Sequence, residues 1–385
     1  MNRRFVVVAL VVLLLAAACG RGDDRPSKGD PKAGGKITVP AAMPSTLDPS
    51  KGSRRADLYL LKQICDTLVS FDPVTGALKR GTAESWTISE DAKKVIFKLR
   101  PGVKFHNGRE VTAQDYVYSL SRFVNQDTGS LSYFILDKVV GYREVLDGRA
   151  DTLAGAKAPD PLTLEIDLIE PFAEFPAVMA HPAVGAAIPK EEVDKDPASF
   201  GQMPVCTGPY MLESPWNVGL DITLVAFDGY YKANEAYTRG GAGYAEEITI
   251  RTLPDLAEDV PDVATGFSWL VDGEVDVAEV PLNRLSGARR LREHTLVEGP
   301  LGNVEYLGFP TKKYPTDNAD VRRALGLAID REDVVKDLLD GTRVIPEGLL
   351  PPAAGVASTR SACAAIEPRP DEEAAKAALG RSGLS

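Results

Sequence analysis

The chain has 385 residues, a formal net charge of −11 and a hydrophobic fraction of 44%, so it can bury substantial cores. Its length favours two domains or one large composite domain. The acidic balance and the lack of clustered lysine and arginine argue against a nucleic-acid-binding groove. The three histidines and four cysteines lie far apart and show no zinc-like spacing, so we expect neither a metal site nor a cofactor.

The N-terminal segment has the pattern of an export signal. A short basic start precedes an apolar run from Phe5 to Leu15, which is shorter than the roughly 20 residues that a membrane-spanning helix needs. Three alanines then lead to Cys19, as in a bacterial lipobox, although leucine is commoner where Ala16 stands. We therefore expect residues 1–18 to be a signal peptide and Cys19 to be lipidated; the alternative is a plain secretory signal with Cys19 incidental.

Residues 19–35 are rich in glycine, proline and charge, a composition that cannot bury a core and predicts a flexible tether. Acyl chains on Cys19 would hold the protein in the lipid, while the tether gives the folded part reach. The expected location is outside the cytoplasm, anchored to the outer face of the cell membrane on its periplasmic or cell-wall side.

The first predicted elements after the tether are a short strand and a helix. KITVP predicts the strand, and ADLYLLKQICDTLV, residues 56–69, predicts the helix because its apolar residues recur at helical spacing. SWTIS and VIFKLR, joined by a polar turn, then predict a pair of strands.

The central part of the chain continues this alternation of helix and strand. Residues 111–124 predict an amphipathic helix that begins with Thr112 and Asp115 at capping-box spacing. PLTLEIDLIEP, residues 161–171, alternates apolar and polar side chains and therefore predicts a half-buried strand.

Further strands are predicted within residues 205–230 and at residues 246–253. Residues 318–328 predict a helix, and a second helix is expected from Asp330, a suitable N-cap, to Gly341, a suitable C′ residue. The chain shows no internal repeat and no low-complexity linker after residue 35, so we expect a mixed α/β protein whose domains share segments of chain.

Catalytic motifs are missing from the sequence. GGKI lacks the spacing of a phosphate-binding loop, and no G-x-S-x-G elbow occurs. The paired carboxylates beside predicted helix and strand starts are most simply solvated faces. An enzyme is therefore unsupported.

Several motifs in order resemble the solute-binding proteins of peptide and nickel ABC importers, the extracytoplasmic family 5. They are AESWTISEDAKKVIFKLRPGVKFHNGREVTAQDYVYSLSRF, CTGPYML, GEVDV and YLGFPTKKYPTDNADVRRALGLAIDREDVV. Cys206 stands where this family has glycine, and Pro310 where it usually has asparagine. The resemblance runs from about residue 34 to the end of the sequence.

The resemblance implies a mixed α/β, two-lobed fold of the periplasmic-binding-protein type II (Venus-flytrap) class with an extra inserted domain. It assigns residues 36–71 and 196–298 to lobe I, residues 72–195 to the inserted domain and residues 299–385 to a partial lobe II. Ligand would lie in the cleft between the lobes, which close around it by hinge motion. Relatives continue beyond the segment that matches residues 375–385, so we expect the second lobe to be incomplete.

The function that the resemblance implies is that of a monomeric substrate-binding lipoprotein of an ABC importer. It would capture oligopeptides or similar small solutes and deliver them to a permease driven by a separate ATPase, with no chemistry of its own. The alternatives are a surface lipoprotein that uses the same scaffold for sensing or adhesion, a non-functional truncated remnant of an interrupted gene, and a secreted hydrolase.

The resemblance also nominates ligand-binding residues by matching position. The loop after TLDP would bring Ser53, Arg54 and Asp57 to the cleft, and Arg54 could pair with a ligand carboxylate through its fork of donors. The alternative for this loop is a solvated turn before a helix.

Two further positions fall where relatives place cleft residues. Tyr133 and Phe134 are the candidate cleft aromatics, with core packing as the alternative. His181 is the third candidate, and its alternative is a satisfied structural histidine.

One disulfide is compatible with an oxidising compartment. With Cys19 assigned to lipid, three cysteines remain, and the sequence cannot choose among the pairs. Our preferred pair is Cys206 with Cys363; the alternative is that all three are small buried residues.

Overall fold

The computed structural model describes residues 34–72, 76–231, 245–257, 260–298, 304–346 and 368–384. The strands are β1 (Lys36–Ala42), β2 (Val69–Phe71), β3 (Leu78–Arg80), β4 (Ala83–Ile88), β5 (Lys94–Leu99), β6 (Ala156–Asp160), β7 (Thr163–Asp167), β8 (Tyr210–Leu212), β9 (Ile222–Ala226), β10 (Glu247–Leu253), β11 (Asp255–Ala257) and β12 (Val260–Pro261). The helices are α1 (Arg55–Ile64), α2 (Ala113–Val124), α3 (Tyr142–Leu146), α4 (Phe175–Val178), α5 (Lys190–Lys195), α6 (Val263–Val271), α7 (Leu285–Ala288), α8 (Ala319–Ala328), α9 (Arg331–Asp333) and α10 (Glu372–Ser382).

The first sheet joins distant parts of the chain in the order β1-β10-β9-β8. Strand β1 runs parallel to β10, from Lys36 opposite Glu247 to Ala42 opposite Leu253, and the other pairs are antiparallel. Its inward side chains pack on helix α1. The buried members of this core include Leu60, Leu61, Ile64, Leu212, Ile222, Leu224, Ile248 and Ile250.

The outer edge of β1 is covered by the GEVDV segment. The Thr38 amide donates to the Asp276 carboxylate at 2.7 Å, and the Asp276 amide donates to the Thr38 carbonyl at 2.9 Å. Exposed sheet edges invite pairing with other chains. The aspartate of this motif therefore protects the open edge of the first sheet.

The second sheet is local and antiparallel, in the order β4-β5-β7-β6. Trp86 lies opposite Phe97, and Phe97 lies opposite Leu164. Helix α2 covers this sheet with its buried stripe, and its capping box of Thr112 and Asp115 is present as predicted. All strands of this sheet come from residues 83–167, whereas those of the first sheet come from residues 36–42 and 210–253.

The prediction of a helix at residues 56–69 is correct for its start and wrong for its end. Helix α1 stops at Ile64, and Cys65 is extended, with φ −129° and ψ 120°. The Leu68 amide donates to the Gly185 carbonyl, and Val69 belongs to β2. Tertiary hydrogen bonding therefore overrides the helical spacing of the apolar residues after Ile64.

The disulfide joins Cys65 to Cys206, with their Cα atoms 4.9 Å apart. A sulfur forms only one such bond, so the preferred pairing of Cys206 with Cys363 is wrong; Cys363 lies outside the described residues. The physical reason is local. The Gly208 amide donates to the Ile64 carbonyl at 2.9 Å, which brings the end of α1 against the segment before β8.

The C-terminal described segments form a small helical unit. Helices α8 and α10 pack through buried Val321, Ala324 and Ala378, whose small side chains permit close approach. The predicted cap is confirmed, because the Asp330 carboxylate accepts from the Asp333 amide at 2.9 Å. The second predicted helix is shorter than expected, because α9 gives way to a wider helical turn at Val334–Leu338.

No helix within the described residues has the length and apolar character needed to span a membrane. The expected signal peptide and Cys19 lie outside the described residues.

Candidate functional site

The buried side chain of Asp57 stabilises the loop that precedes α1 through hydrogen bonds. This carboxylate is fully buried and accepts the amides of Ser45 at 2.6 Å, Ser53 at 3.1 Å and Arg54 at 3.0 Å. The Ser45 hydroxyl donates to the same group at 2.9 Å. A carboxylate with several donors is a strong local anchor. Asp57 therefore fixes the shape of the loop.

The three predicted loop residues consequently differ in position. Arg54 is exposed at the N-cap of α1, and Ser53 is half-buried beside it. Asp57 faces inward with its oxygens engaged, so its predicted direct contact with ligand does not fit this geometry. Direct contact by Ser53 and Arg54 stays a prediction.

A buried ion pair ties the same loop to the second sheet's helix. The Arg122 guanidinium on α2 donates both terminal nitrogens to the Asp48 carboxylate, at 2.7 and 2.6 Å. The two side chains are 9% and 2% exposed. Burial acts to lower the pKa of Arg122, but the hydrogen bonds and charge of Asp48 outweigh it and raise the pKa.

The outward face of α1 carries a different set of side chains. Arg55, Tyr59 and Lys62 are all exposed. The Arg55 guanidinium lies 3.8 Å from the Glu279 carboxylate, with the side chains 91% and 63% exposed. Tyr59 is 44% exposed, and the partial burial of its phenol raises the pKa, so the hydroxyl stays protonated near neutral pH.

His181 lies within range of the charge of Lys62 on this face. Its Nδ1 accepts the Ala183 amide at 3.2 Å, which orders the turn after α4. Burial, and secondarily the charge of Lys62, lower the pKa of His181. The ring is therefore neutral near pH 7, and it has a structural role because it orders the turn after α4.

Tyr133 and Phe134 begin a single 3₁₀ turn at Tyr133–Leu136. Their rings meet edge to face, with centroids 6.2 Å apart. Leu136 is buried, but Tyr133 is 38% and Phe134 60% exposed, beside Leu131 at 73%. The aromatics form an exposed apolar platform, so the core-packing alternative does not hold for them.

Sequence reasoning missed a buried tyrosine–aspartate cluster near the disulfide. The Asp66 carboxylate accepts the hydroxyls of Tyr230 at 3.0 Å and Tyr231 at 2.7 Å. Burial, followed by the negative charge of Asp66, raises the pKa of Tyr231 well above its ordinary value. These hydrogen bonds connect the segment after β9 to the residues that follow α1. The tyrosine pair in the sequence carried no signal for this partner, which is 164 residues away.

A separate pocket of about 450 Å³ lies between α2, α5 and the loop after β1, lined by residues that include Lys51, Tyr118 and Lys190. None of the predicted ligand residues lines it. Within the described part of the chain, no three histidine, cysteine or acidic side chains are grouped so that they could hold a metal ion.

The sheet arrangement and the similarity to solved structures show the mixed α/β fold of the two-lobed type II class, as expected. DppA from Helicobacter pylori, solved in complex with the peptide STSA, superposes with a TM-score of 0.72 at 24% identity. The alignment covers 91% of this chain and 67% of that one.

The sequence model of the bacterial extracellular solute-binding proteins, family 5 Middle, matches residues 77–385. The chain belongs to this family. The probable deoxycholate-binding periplasmic protein YgiS of Escherichia coli (strain K12) is 30% identical over 314 residues, 80% of this chain and 55% of that protein. The glutathione-binding protein GsiB of Salmonella typhimurium (strain LT2) is 29% identical over 316 residues, 82% of this chain and 56% of that protein. The chain thus spans about half the length of the curated relatives it matches.

Proposed function

We propose that this protein is the extracytoplasmic solute receptor of an ABC importer. It captures oligopeptides or similar small solutes and delivers them to a permease that a separate ATPase drives. The observation that carries this proposal is the family match over residues 77–385, which includes the second sheet, Cys206 and the C-terminal helices. The receptor performs no chemistry on its cargo.

The solute class is inferred from the names of two relatives and from the peptide bound to a structural neighbour. Two relatives are named for glutathione and for deoxycholate, and a solved structural neighbour holds the peptide STSA. A short peptide or a solute of similar size is therefore the first choice. Affinity would come from burying the solute between lobes, and buried polar groups would set its selectivity.

The proposed cleft has one wall on the first sheet's lobe, residues 36–71 and 196–298. Residues 72–195 form the inserted domain, and residues 299–385 contribute to the facing lobe. Ser53 and Arg54 lie on the loop that Asp57 makes rigid, which suits residues that must hold a ligand in one geometry.

The remaining proposed ligand contacts come from outside that loop. The exposed rings of Tyr133 and Phe134 supply an apolar surface for a side chain or ring of the solute. His181 supplies a neutral ring near helix α1. These residues combine an apolar surface with polar groups, the usual composition of a small-molecule site.

The proposed anchor is a lipid on Cys19, which would keep the receptor beside its permease while residues 19–35 give it reach. We further propose that the receptor works as a monomer. Mass spectrometry of the protein extracted from membranes tests the anchor: an acylated peptide that begins at Cys19 is expected, and an unmodified secreted form contradicts it.

Thermal unfolding with a panel of peptides two to five residues long, glutathione, deoxycholate and nickel chelates tests the binding role. A binder present at 100 times its Kd adds about 2.7 kcal/mol to the free energy of unfolding, so the melting temperature should rise by several degrees. Radiolabelled uptake of each binder by cells lacking the gene should fall and should return on complementation. If no member of the panel shifts the melting temperature, the receptor proposal is contradicted.

A further inference from the structure

The outward face of helix α1 carries positive charge that the helix itself does not neutralise. Arg55, Tyr59 and Lys62 follow one another at positions i, i+4 and i+7 and therefore share one face. The helix contains one acidic residue, Asp57, which is buried and engaged with the preceding loop. The exposed face thus presents two cations and a phenol hydroxyl, with no acid among them.

Neighbouring segments neutralise this face only weakly. Glu279 approaches Arg55 at 3.8 Å, but both side chains are largely exposed, and such pairs contribute little. Among the residues that the structure describes, no carboxylate lies within ion-pair distance of Lys62. The whole chain carries a net charge of −11, so its average field repels anions. A local cationic face is the feature that can reverse this repulsion for an anionic solute.

His181 adds a neutral donor within range of the charge of Lys62. Because Nδ1 accepts the Ala183 amide, the proton of the neutral ring is on Nε2, which is therefore a hydrogen-bond donor. The ring stays neutral because it is largely buried and because the charge of Lys62 opposes protonation. A third positive charge would be harder to accommodate here than this neutral N–H group.

We propose that Arg55, Tyr59, Lys62 and His181 form the subsite that binds the carboxylate of the transported solute. The inference rests on the proposed function and deepens it, because it names the substrate class as solutes with a free carboxylate. Arg55 and Lys62 are separated by a rise of about 10 Å along the helix axis. Their side chains are long enough for both charged groups to reach a carboxylate placed over Tyr59. The guanidinium supplies a fork of donors and the ammonium a point charge.

The first test uses citrate as an anionic probe and does not depend on knowing the solute. Ring signals of His181, assigned with a His181→Gln variant, are followed by NMR while citrate is added to the protein produced from its own gene. A saturable shift is expected in the wild type. The double variant Arg55→Gln/Lys62→Gln should need at least a ten-fold higher citrate concentration for the same shift. The control Lys93→Gln, which removes an exposed lysine from the turn between β4 and β5, should behave as wild type.

No shift of His181, or equal shifts in the wild type and the double variant, would overturn the inference. Arg55, Lys62 and Lys93 are exposed, so the double variant and the Lys93→Gln control should melt at the wild-type temperature, and circular dichroism checks this. If citrate has no effect but the double variant still reduces solute uptake by cells, the face is a docking surface for a protein partner and the subsite assignment fails.

The second test compares the peptide Ala-Phe-Ala with its C-terminal amide by calorimetry. At least ten-fold tighter binding of the free acid is expected, because a hydrogen-bonded charge pair contributes more than a neutral contact. The double variant should lose this preference, and Lys93→Gln should keep it. Equal binding of acid and amide overturns the subsite and leaves the receptor function intact. Binding of neither peptide, with the citrate response present, supports the subsite and contradicts the peptide assignment.

Discussion

The Arg122 guanidinium of helix α2 donates two hydrogen bonds, of 2.7 and 2.6 Å, to the Asp48 carboxylate in the loop after β1, although 74 residues separate the two side chains. Both side chains are almost completely buried. The guanidinium also lies 5.8 Å from the ring centre of Phe200, so it contacts a third segment of the chain. The pair therefore fixes the orientation of the helix on the second sheet relative to the loop that leads to α1.

The first prediction concerns this ion pair. Arg122→Met or Asp48→Asn should each lower the free energy of unfolding by about 3–5 kcal/mol, because each leaves a buried charge without its partner. Urea unfolding followed by circular dichroism measures the change. Removing both partners in Asp48→Leu/Arg122→Met should cost less than the two single losses together.

The control for this prediction is the exposed pair of Lys376 and Glu372 on α10, 3.2 Å apart. Lys376→Ala should change the free energy of unfolding by no more than about 0.5 kcal/mol. Single variants at Asp48 and Arg122 that are no less stable than Lys376→Ala would contradict the structural role of the pair.

The second prediction concerns the disulfide. The double variant Cys65→Ser/Cys206→Ser should lose about 3–5 kcal/mol of stability, because the bond closes a loop with a sequence separation of 141. A reducing agent should lower the melting temperature of the wild type and leave that of the double variant unchanged. Peptide mapping under non-reducing conditions should recover a fragment that joins Cys65 to Cys206. Recovery of Cys206 joined to Cys363 would restore the pairing preferred from the sequence.

Local patterns predicted much of the fold correctly. The strand pair around the Trp86–Phe97 register, the capping box of Thr112 and Asp115, and the cap at Asp330 all follow from side chains close together in sequence. Periodicity reports which side chains share a face. It therefore identifies elements wherever burial and local hydrogen bonding favour the same structure.

Long-range partners could not be predicted in the same way. The pairing of Cys65 with Cys206 depends on how α1 meets the segment before β8, and no local pattern encodes that contact. Asp57 was a candidate ligand residue because it follows the TLDP loop, yet its carboxylate serves the amides of that loop. The capping box at the start of α1 could not be predicted, because its N-cap residue is Arg54. Serine, threonine, aspartate and asparagine are the residues expected at that position.

The third prediction tests Asp57 as a positioning residue. Asp57→Ala should lower the free energy of unfolding by about 3 kcal/mol, because several backbone amides and a hydroxyl lose their buried acceptor. Asp57→Asn keeps one acceptor oxygen and should lose less. Binding of any solute found in the thermal panel should weaken in both variants, since the loop that carries Ser53 and Arg54 is released.

The matched control is Asp151→Ala, which removes an exposed aspartate from the bend between α3 and β6. Its stability should stay within about 0.5 kcal/mol of the wild type. If Asp57→Ala is equally stable but loses solute binding, Asp57 contacts the solute directly and the positioning role is wrong.

The fourth prediction follows from His106, which packs against the ring of Phe227 and whose Nε2 lies 3.2 Å from the Gly208 carbonyl. Burial, only partly offset by that contact, lowers the pKa of His106 to about 4. In the unfolded chain the pKa is about 6.5, so the unfolded state binds the proton first as the pH falls. Stability from this group is therefore complete above pH 6.5 and is lost progressively towards pH 4, by roughly 3 kcal/mol in total.

Urea unfolding between pH 6.5 and 4.5 measures the slope of the free energy of unfolding against pH. His106→Gln should reduce that slope by up to about 1.4 kcal/mol per pH unit, the value for one proton. His181→Gln should reduce it less, because its pKa is lowered too but it is less deeply buried. If His106→Gln does not fold, an NMR titration of the wild-type ring provides the same information. A ring that titrates near pH 6.5, or slopes that are equal in the wild type and His106→Gln, would show that burial of His106 does not control acid sensitivity.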